Sequence, residues 1–137
     1  MEISINYVAV LVAGVINMVI GALWYSPVLF GNKWMKLMGW NKESVAGKKK
    51  GMGARYFANF VAALLMAYVI AHLVYLIDAL TWQEGVQLGF WTWLGFVATV
   101  SLGTVLWEGK PKALYFLNIA YYFVTFLVMG AILAVWR

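Results

Sequence analysis

The chain has 137 residues, of which 65% are hydrophobic, 18% aromatic and only 11% charged, with no cysteine and a net charge of +5. So apolar a composition excludes an ordinary water-soluble domain, and the missing cysteines exclude disulfides, thiolate nucleophiles and thiolate metal sites. A single unit, residues 1–137, is the expectation.

Four apolar stretches dominate it: Ile5 to Tyr25, Arg55 to Ile77, Gly85 to Trp107 and Ala113 to Trp136, each long enough to cross a ~30 Å hydrocarbon core. They predict an all-α, integral membrane four-helix bundle in a single transmembrane domain. Glu2 precedes the first stretch, with no basic segment before it and no small-residue cleavage site after it, so this stretch reads as a retained span. Tyr25-Ser26-Pro27 ends it, because proline lacks the amide donor and disfavours helical geometry in the residue before it.

The connection that follows is the only long one, and connections of that kind usually carry structure or function. Phe30, Trp34, Leu37 and Met38 recur at helical spacing with Lys33 and Lys36 between them, which predicts a short interfacial helix over Val28 to Trp40 whose ammonium groups reach the headgroup layer. Lys48-Lys49-Lys50 reads first as a topology determinant touching anionic lipid headgroups, and second as a site for a partner or a phosphoinositide-like group. The second span carries Asn59 near its start and His72 farther on, with Tyr68 and Tyr75 one turn to either side. A lone histidine makes no multi-ligand metal site; the expectation is a neutral imidazole bonded to a tyrosine or a carbonyl, with a proton relay as the alternative.

Thr81 and Glu84 form a capping box that opens the third span. Within it, Gly95, Thr99 and Gly103 recur every four residues, a spacing that permits close helix approach and suggests a homo-oligomer, dimer or trimer. Gly109 and Pro111 close this span and open the fourth. On the fourth, Tyr115, Asn118, Tyr122, Thr125 and Met129 share one stripe, as Ala13, Asn17 and Gly21 do on the first, and the two stripes are expected to face each other.

Of the 10 basic residues, all but Arg137 lie in the first and third connections or at their edges. That is the positive-inside pattern of an inner (cytoplasmic) membrane protein with both termini outside, and it disfavours nucleic acid as the partner of the positive charge. Trp24, Tyr25, Tyr56, Trp107 and Tyr115 are expected in the inner aromatic belt and Tyr75, Trp82 and Trp136 in the outer one.

No Asp, Glu, Lys or Arg lies deep in a span, whereas ion-coupled carriers place a carboxylate near the midplane. Small four-helix multidrug exporters share the size, but Asn17 stands where an acidic residue would be needed. What the spans offer is neutral: Asn17, Asn59, Asn118, Ser101 and Thr104, all in the inner half, with Tyr122 on the stripe of Asn118. One reading pins helix to helix through them; the other lines a polar cavity open to the cytoplasm with them, able to bond a solute without a charged partner. Packing is the preferred role. No catalytic set, metal cluster or cofactor motif is present.

Asn6-Tyr7, Gly21-Ala22-Leu23-Trp24-Tyr25-Ser26-Pro27, Leu29-Phe30-Gly31, Trp34-Met35, Gly39, Asn118-xx-Tyr121 and Met129-Gly130-Ala131-Ile132-Leu133 resemble the family of small prokaryotic membrane proteins catalogued as domain of unknown function 1761. Trp-Tyr-Ser-Pro-x-Leu-Phe-Gly is the specific part. The resemblance implies a four-helix integral membrane protein and brings no reaction. Trp24, Tyr25, Ser26, Pro27, Phe30 and Trp34 read as a rigid interfacial corner, or as a roof that gates the polar cavity.

Three functions follow. The preferred one is a channel, facilitator or binding protein for a small solute. The second is an accessory oligomer that docks a partner. The third is an enzyme acting on a lipidic substrate, of the size of the trimeric membrane-bound glutathione-type transferases but without their acidic and arginine residues. Cysteine labelling of single-site variants should find Lys48 accessible from the cytoplasm and Asp78 from outside; the reverse pattern refutes the orientation.

Overall fold

The computed structural model describes residues 2–137, which contain helices and no strand. Six helices follow in order: α1 Tyr7–Trp24, α2 Gly31–Met38, α3 Lys42–Lys48, α4 Met52–Leu76, α5 Trp82–Leu106 and α6 Lys112–Val135. The helices α1, α4, α5 and α6 are the four apolar stretches, each long and apolar enough to cross a membrane.

Local chemistry sets their ends. Asn6 caps α1, its Oδ1 accepting from the amides of Val8 and Ala9 at 3.1 Å. The expected capping box opens α5: the Glu84 amide donates to Thr81 Oγ1 at 3.2 Å, and Glu84 Oε2 accepts from the Thr81 and Leu80 amides. Gly109 takes a positive φ of 68° before Pro111 leads into α6.

The long connection folds differently from the single helix expected over Val28 to Trp40. Its first residues form a closed turn, in which Phe30 N donates to Trp24 O at 2.9 Å and Gly31 N to Ser26 O at 2.8 Å. Helix α2 therefore starts only at Gly31, whose missing side chain is required: a Cβ there would collide with the carbonyl of Tyr25. It stops at Gly39, φ 73°. Helix α3 follows, capped by Asn41, whose Oδ1 accepts from Ser44 N at 2.8 Å. No apolar stripe announces it, because none of its residues is buried.

Among the long helices α6 packs against each of the other three, and most extensively against α5. The closest approach lies at Gly85, Gly89 and Gly130: a Cβ on Gly85 or Gly130 would run into the other's carbonyl, and one on Gly89 into that of Phe126. The glycines that permit close contact inside the chain are thus not those of the expected Gly95, Thr99, Gly103 stripe. Gly95 has no atom within 4 Å of where its Cβ would stand, and Gly103 meets only its own helix neighbour Trp107. The second set starts inside a π-helical turn at Leu94–Ala98, and α5 breaks again at Leu102, so its later part does not continue the geometry of its first turns.

The main core lies in the half of the molecule where both termini meet. Ala9 and Ala13 of α1, Ala67, Ile70 and Val74 of α4, and Phe126, Met129 and Leu133 of α6 are buried together. Asn6 Nδ2 donates to Trp136 O at 3.3 Å, and Arg137 joins Asp78 at 3.1 Å and the carbonyl of Ala79 at 3.1 Å while lying 5.0 Å over the Tyr75 ring. The one basic residue outside the two basic connections therefore has an acidic partner. We call this the clasp end, and the other, which holds α2, α3 and Gly109, the loop end.

Gly85→Ala must push α5 away from α6, at about 1–3 kcal/mol, whereas Gly95→Ala adds a methyl to open space and should be close to neutral. Unfolding in mixed detergent with denaturant measures both; equal losses would refute the glycine contact.

Candidate functional site

Loop-end side chains close over the core and leave two clefts. The larger, of 710 Å³, runs between α1, α4 and α6; Val15, Met18, Ala22 and Phe60 give it apolar walls, and Tyr25, Tyr56, Asn59, Tyr121 and Tyr122 add neutral polar groups. The smaller, of 420 Å³, lies between α2, the broken end of α5 and the start of α6, around Trp34, Ser101, Tyr115 and Asn118. Tyr25 and Tyr122 line both.

The candidate polar residues do not gather in one cavity. Asn17 is sealed at 3% exposure and lines neither cleft. Its Oδ1 accepts from the Tyr121 hydroxyl at 2.6 Å, and its Nδ2 donates to the sulfurs of Met129 at 3.5 Å and Met66 at 3.8 Å. This is a satisfied packing contact. The two stripes do face each other, at Asn17 and Met129, but the hydroxyl that reaches Asn17 is that of Tyr121 and not of Tyr122. Asn59 is exposed on the larger cleft, donating to Met18 Sδ at 3.4 Å. Asn118 and Ser101 belong to the smaller one. Tyr122 bonds no asparagine, and its hydroxyl has no partner among the described residues.

The corner residues do come together. The Trp24 ring lies 4.7 Å from Phe30, and its Nε1 donates to Leu117 O at 3.2 Å. Tyr25 meets Trp34 edge-on at 5.7 Å and donates its hydroxyl to Asn118 Oδ1 at 2.7 Å. Ser26 Oγ donates back to Leu23 O at 2.7 Å, and Pro27 stays exposed. Of the expected inner aromatic belt, Trp24, Tyr25 and Tyr115 turn inward, the last donating to Ala98 O at 2.6 Å, while Tyr56 and Trp107 remain exposed. Pairings that the spacing left unmarked, Tyr25 with Asn118 and Tyr121 with Asn17, lie 93 and 104 residues apart; the nearest signal for Tyr121 was the Asn118-xx-Tyr121 motif.

On α4, His72 Nδ1 donates to Tyr68 O at 2.9 Å, and the two rings meet edge-on at 4.4 Å. This is the carbonyl-bonded imidazole expected. Tyr7 of α1 joins them, stacking on Tyr68 at 6.4 Å. Tyr75 instead faces Arg137, so the three residues do not form one site. No group of His, Cys, Asp and Glu able to hold a metal occurs among the described residues.

If Asn17 and Tyr121 act as one packing unit, Tyr121→Phe leaves Asn17 Oδ1 unpaired and should cost about 1 kcal/mol. Asn17→Leu combined with Tyr121→Phe should then cost less than the two single changes added together. Strict additivity in a double-mutant unfolding cycle would refute the coupling.

No curated protein and no solved structure matches the chain. A family model described as "Protein of unknown function (DUF1761)" matches residues 8–134. Over that range, nearly its whole length, the chain belongs to the DUF1761 family of proteins of unknown function.

Proposed function

We propose that this is an integral membrane binding protein whose larger cleft takes the hydrocarbon part of an amphiphile. The observation that carries the reading is the cleft itself: 710 Å³ between three long helices, with mainly apolar walls, a few neutral polar groups and no Lys, Arg, His, Asp or Glu among its lining residues. Sites for small amphipathic ligands have this make-up. Binding is favoured over conduction because the polar residues do not share one path. Beyond Asn17 the interior is tightly packed, with Ala9, Ala13, Thr125 and Met129 all at 0% exposure.

The same reading places the loop end at the cytoplasmic face, where the basic residues of the two connections meet anionic lipid headgroups. There α2 lies in the interface with Lys33 and Lys36 toward the headgroups, and Lys48 covers the Trp40 ring at 3.8 Å.

A hexadecanol bearing a diazirine on its chain, photolysed with the protein in liposomes, tests this. Adducts should concentrate on Met18, Ala22 and Phe60 and disappear in Ala22→Trp, which fills the cleft. Adducts spread evenly over the outward-facing Val61, Leu65 and Val69 would refute it.

A further inference from the structure

We infer that the smaller cleft is a distinct site for the carbonyl oxygens of a neutral ligand head. This deepens the binding reading by giving head and hydrocarbon separate places. The inference comes from following each polar hydrogen in the wall. Three hydroxyls are used within the chain: Tyr25 to Asn118 Oδ1, Tyr115 to Ala98 O, and Thr104 to Ser101 O. The amide nitrogen of Asn118, the indole N–H of Trp34 and the hydroxyls of Ser101 and Tyr122 have no partner among the described residues. Among the described residues no side-chain nitrogen or oxygen that is shut away from solvent lacks a partner, so these four groups are accessible.

Their chemistry leans toward donation. An indole N–H and an amide NH₂ only donate, the Ser101 and Tyr122 hydroxyls can donate or accept, and the carboxamide oxygen of Asn118 already accepts from Tyr25. The cleft therefore offers more free donor hydrogens than committed acceptors, and a ligand oxygen can take them. No charged residue lines it, so an anion leaving water would find no countercharge, while a neutral carbonyl finds matching hydrogen bonds. Tyr25, Trp34, Tyr115 and Tyr122 supply aromatic surface for a flat head such as a ring carbonyl or an ester. The ligand class is a neutral amphiphile whose head carries ester or ring carbonyls.

Two tailless probes read this cleft alone: duroquinone, with two ring carbonyls, and triacetin, with three ester carbonyls. Fluorine NMR of protein labelled with 5-fluorotryptophan, the Trp34 signal assigned through Trp34→Phe, should show a saturable shift with at least one of them. Asn118→Asp keeps an acceptor for Tyr25 but removes the amide donors, and should weaken binding at least tenfold. Ser101→Ala, which leaves that pair untouched, should weaken it about threefold and keeps the test decisive if Asn118→Asp does not fold. Ala22→Trp should leave probe binding unchanged, so loss of hexadecanol labelling and loss of probe binding are separate results. No saturable shift from either probe, unchanged affinity in both donor variants, or tighter binding of acetate than of triacetin would overturn the inference.

Discussion

The backbone contact of α5 with α6 at Gly85, Gly89 and Gly130 is the constraint on which the rest of the structure depends. Glycine lets the two chains touch near the clasp end. Farther along, the same pair is bridged by large side chains, with Trp93 Nε1 donating to Ile119 O at 2.8 Å and the Tyr115 hydroxyl to Ala98 O. Glycine thus joins the pair at one end, and indole and phenol span it toward the other. The smaller cleft lies beyond that second set of contacts, past the π-helical turn at Leu94–Ala98. Packing here is rigid enough that a displacement at the glycines cannot be absorbed locally.

In helices of this apolarity each polar side chain must find a partner or reach an opening, since a lone buried polar group costs free energy. The neutral polar residues divide on that rule. Asn17, deep between α1 and α6, is completed by Tyr121 and two methionine sulfurs. Asn118, nearer the loop end, gives its oxygen to Tyr25 and keeps its amide hydrogens free. Asn59 looks outward across the larger cleft. Depth decides the role: the same residue type packs where it is sealed and lines a cleft where it is not.

Helix ends were legible in the sequence because their chemistry is local. Tyr25-Ser26-Pro27, Thr81 with Glu84, and Gly109 with Pro111 act within a few residues of themselves, and each does what its spacing implied. Lateral partners were not legible. Helix α6 touches α1, α4 and α5, so it has no single buried face, and neighbouring residues such as Tyr121 and Tyr122, about 100° apart around the axis, meet different surroundings. A stripe drawn through Tyr122 and Asn118 therefore found the side but not the hydroxyl that binds Asn17. Likewise Gly85-xxx-Gly89 and Gly95-xxx-Thr99-xxx-Gly103 carry the same small-residue signature, and only the place where α6 crosses α5 distinguishes them.

The corner at Trp24-Tyr25-Ser26-Pro27 ties the fold to its clefts. Pro27 and the turn hydrogen bonds from Phe30 and Gly31 stop α1 at a fixed rotation, and that rotation delivers Trp24 to Leu117 O and Tyr25 to Asn118 on α6. Tyr25 then stands between the clefts as a shared wall, with Trp34 of α2 packed edge-on against it. Ending the helix and dividing the clefts are consequently one structural event. A side chain at Gly31 would displace the backbone of Tyr25 and Ser26, and with it the wall, without touching either cleft directly. The most specific stretch of the sequence is in this way explained by what it holds in place, a tyrosine hydroxyl on an asparagine of the last helix.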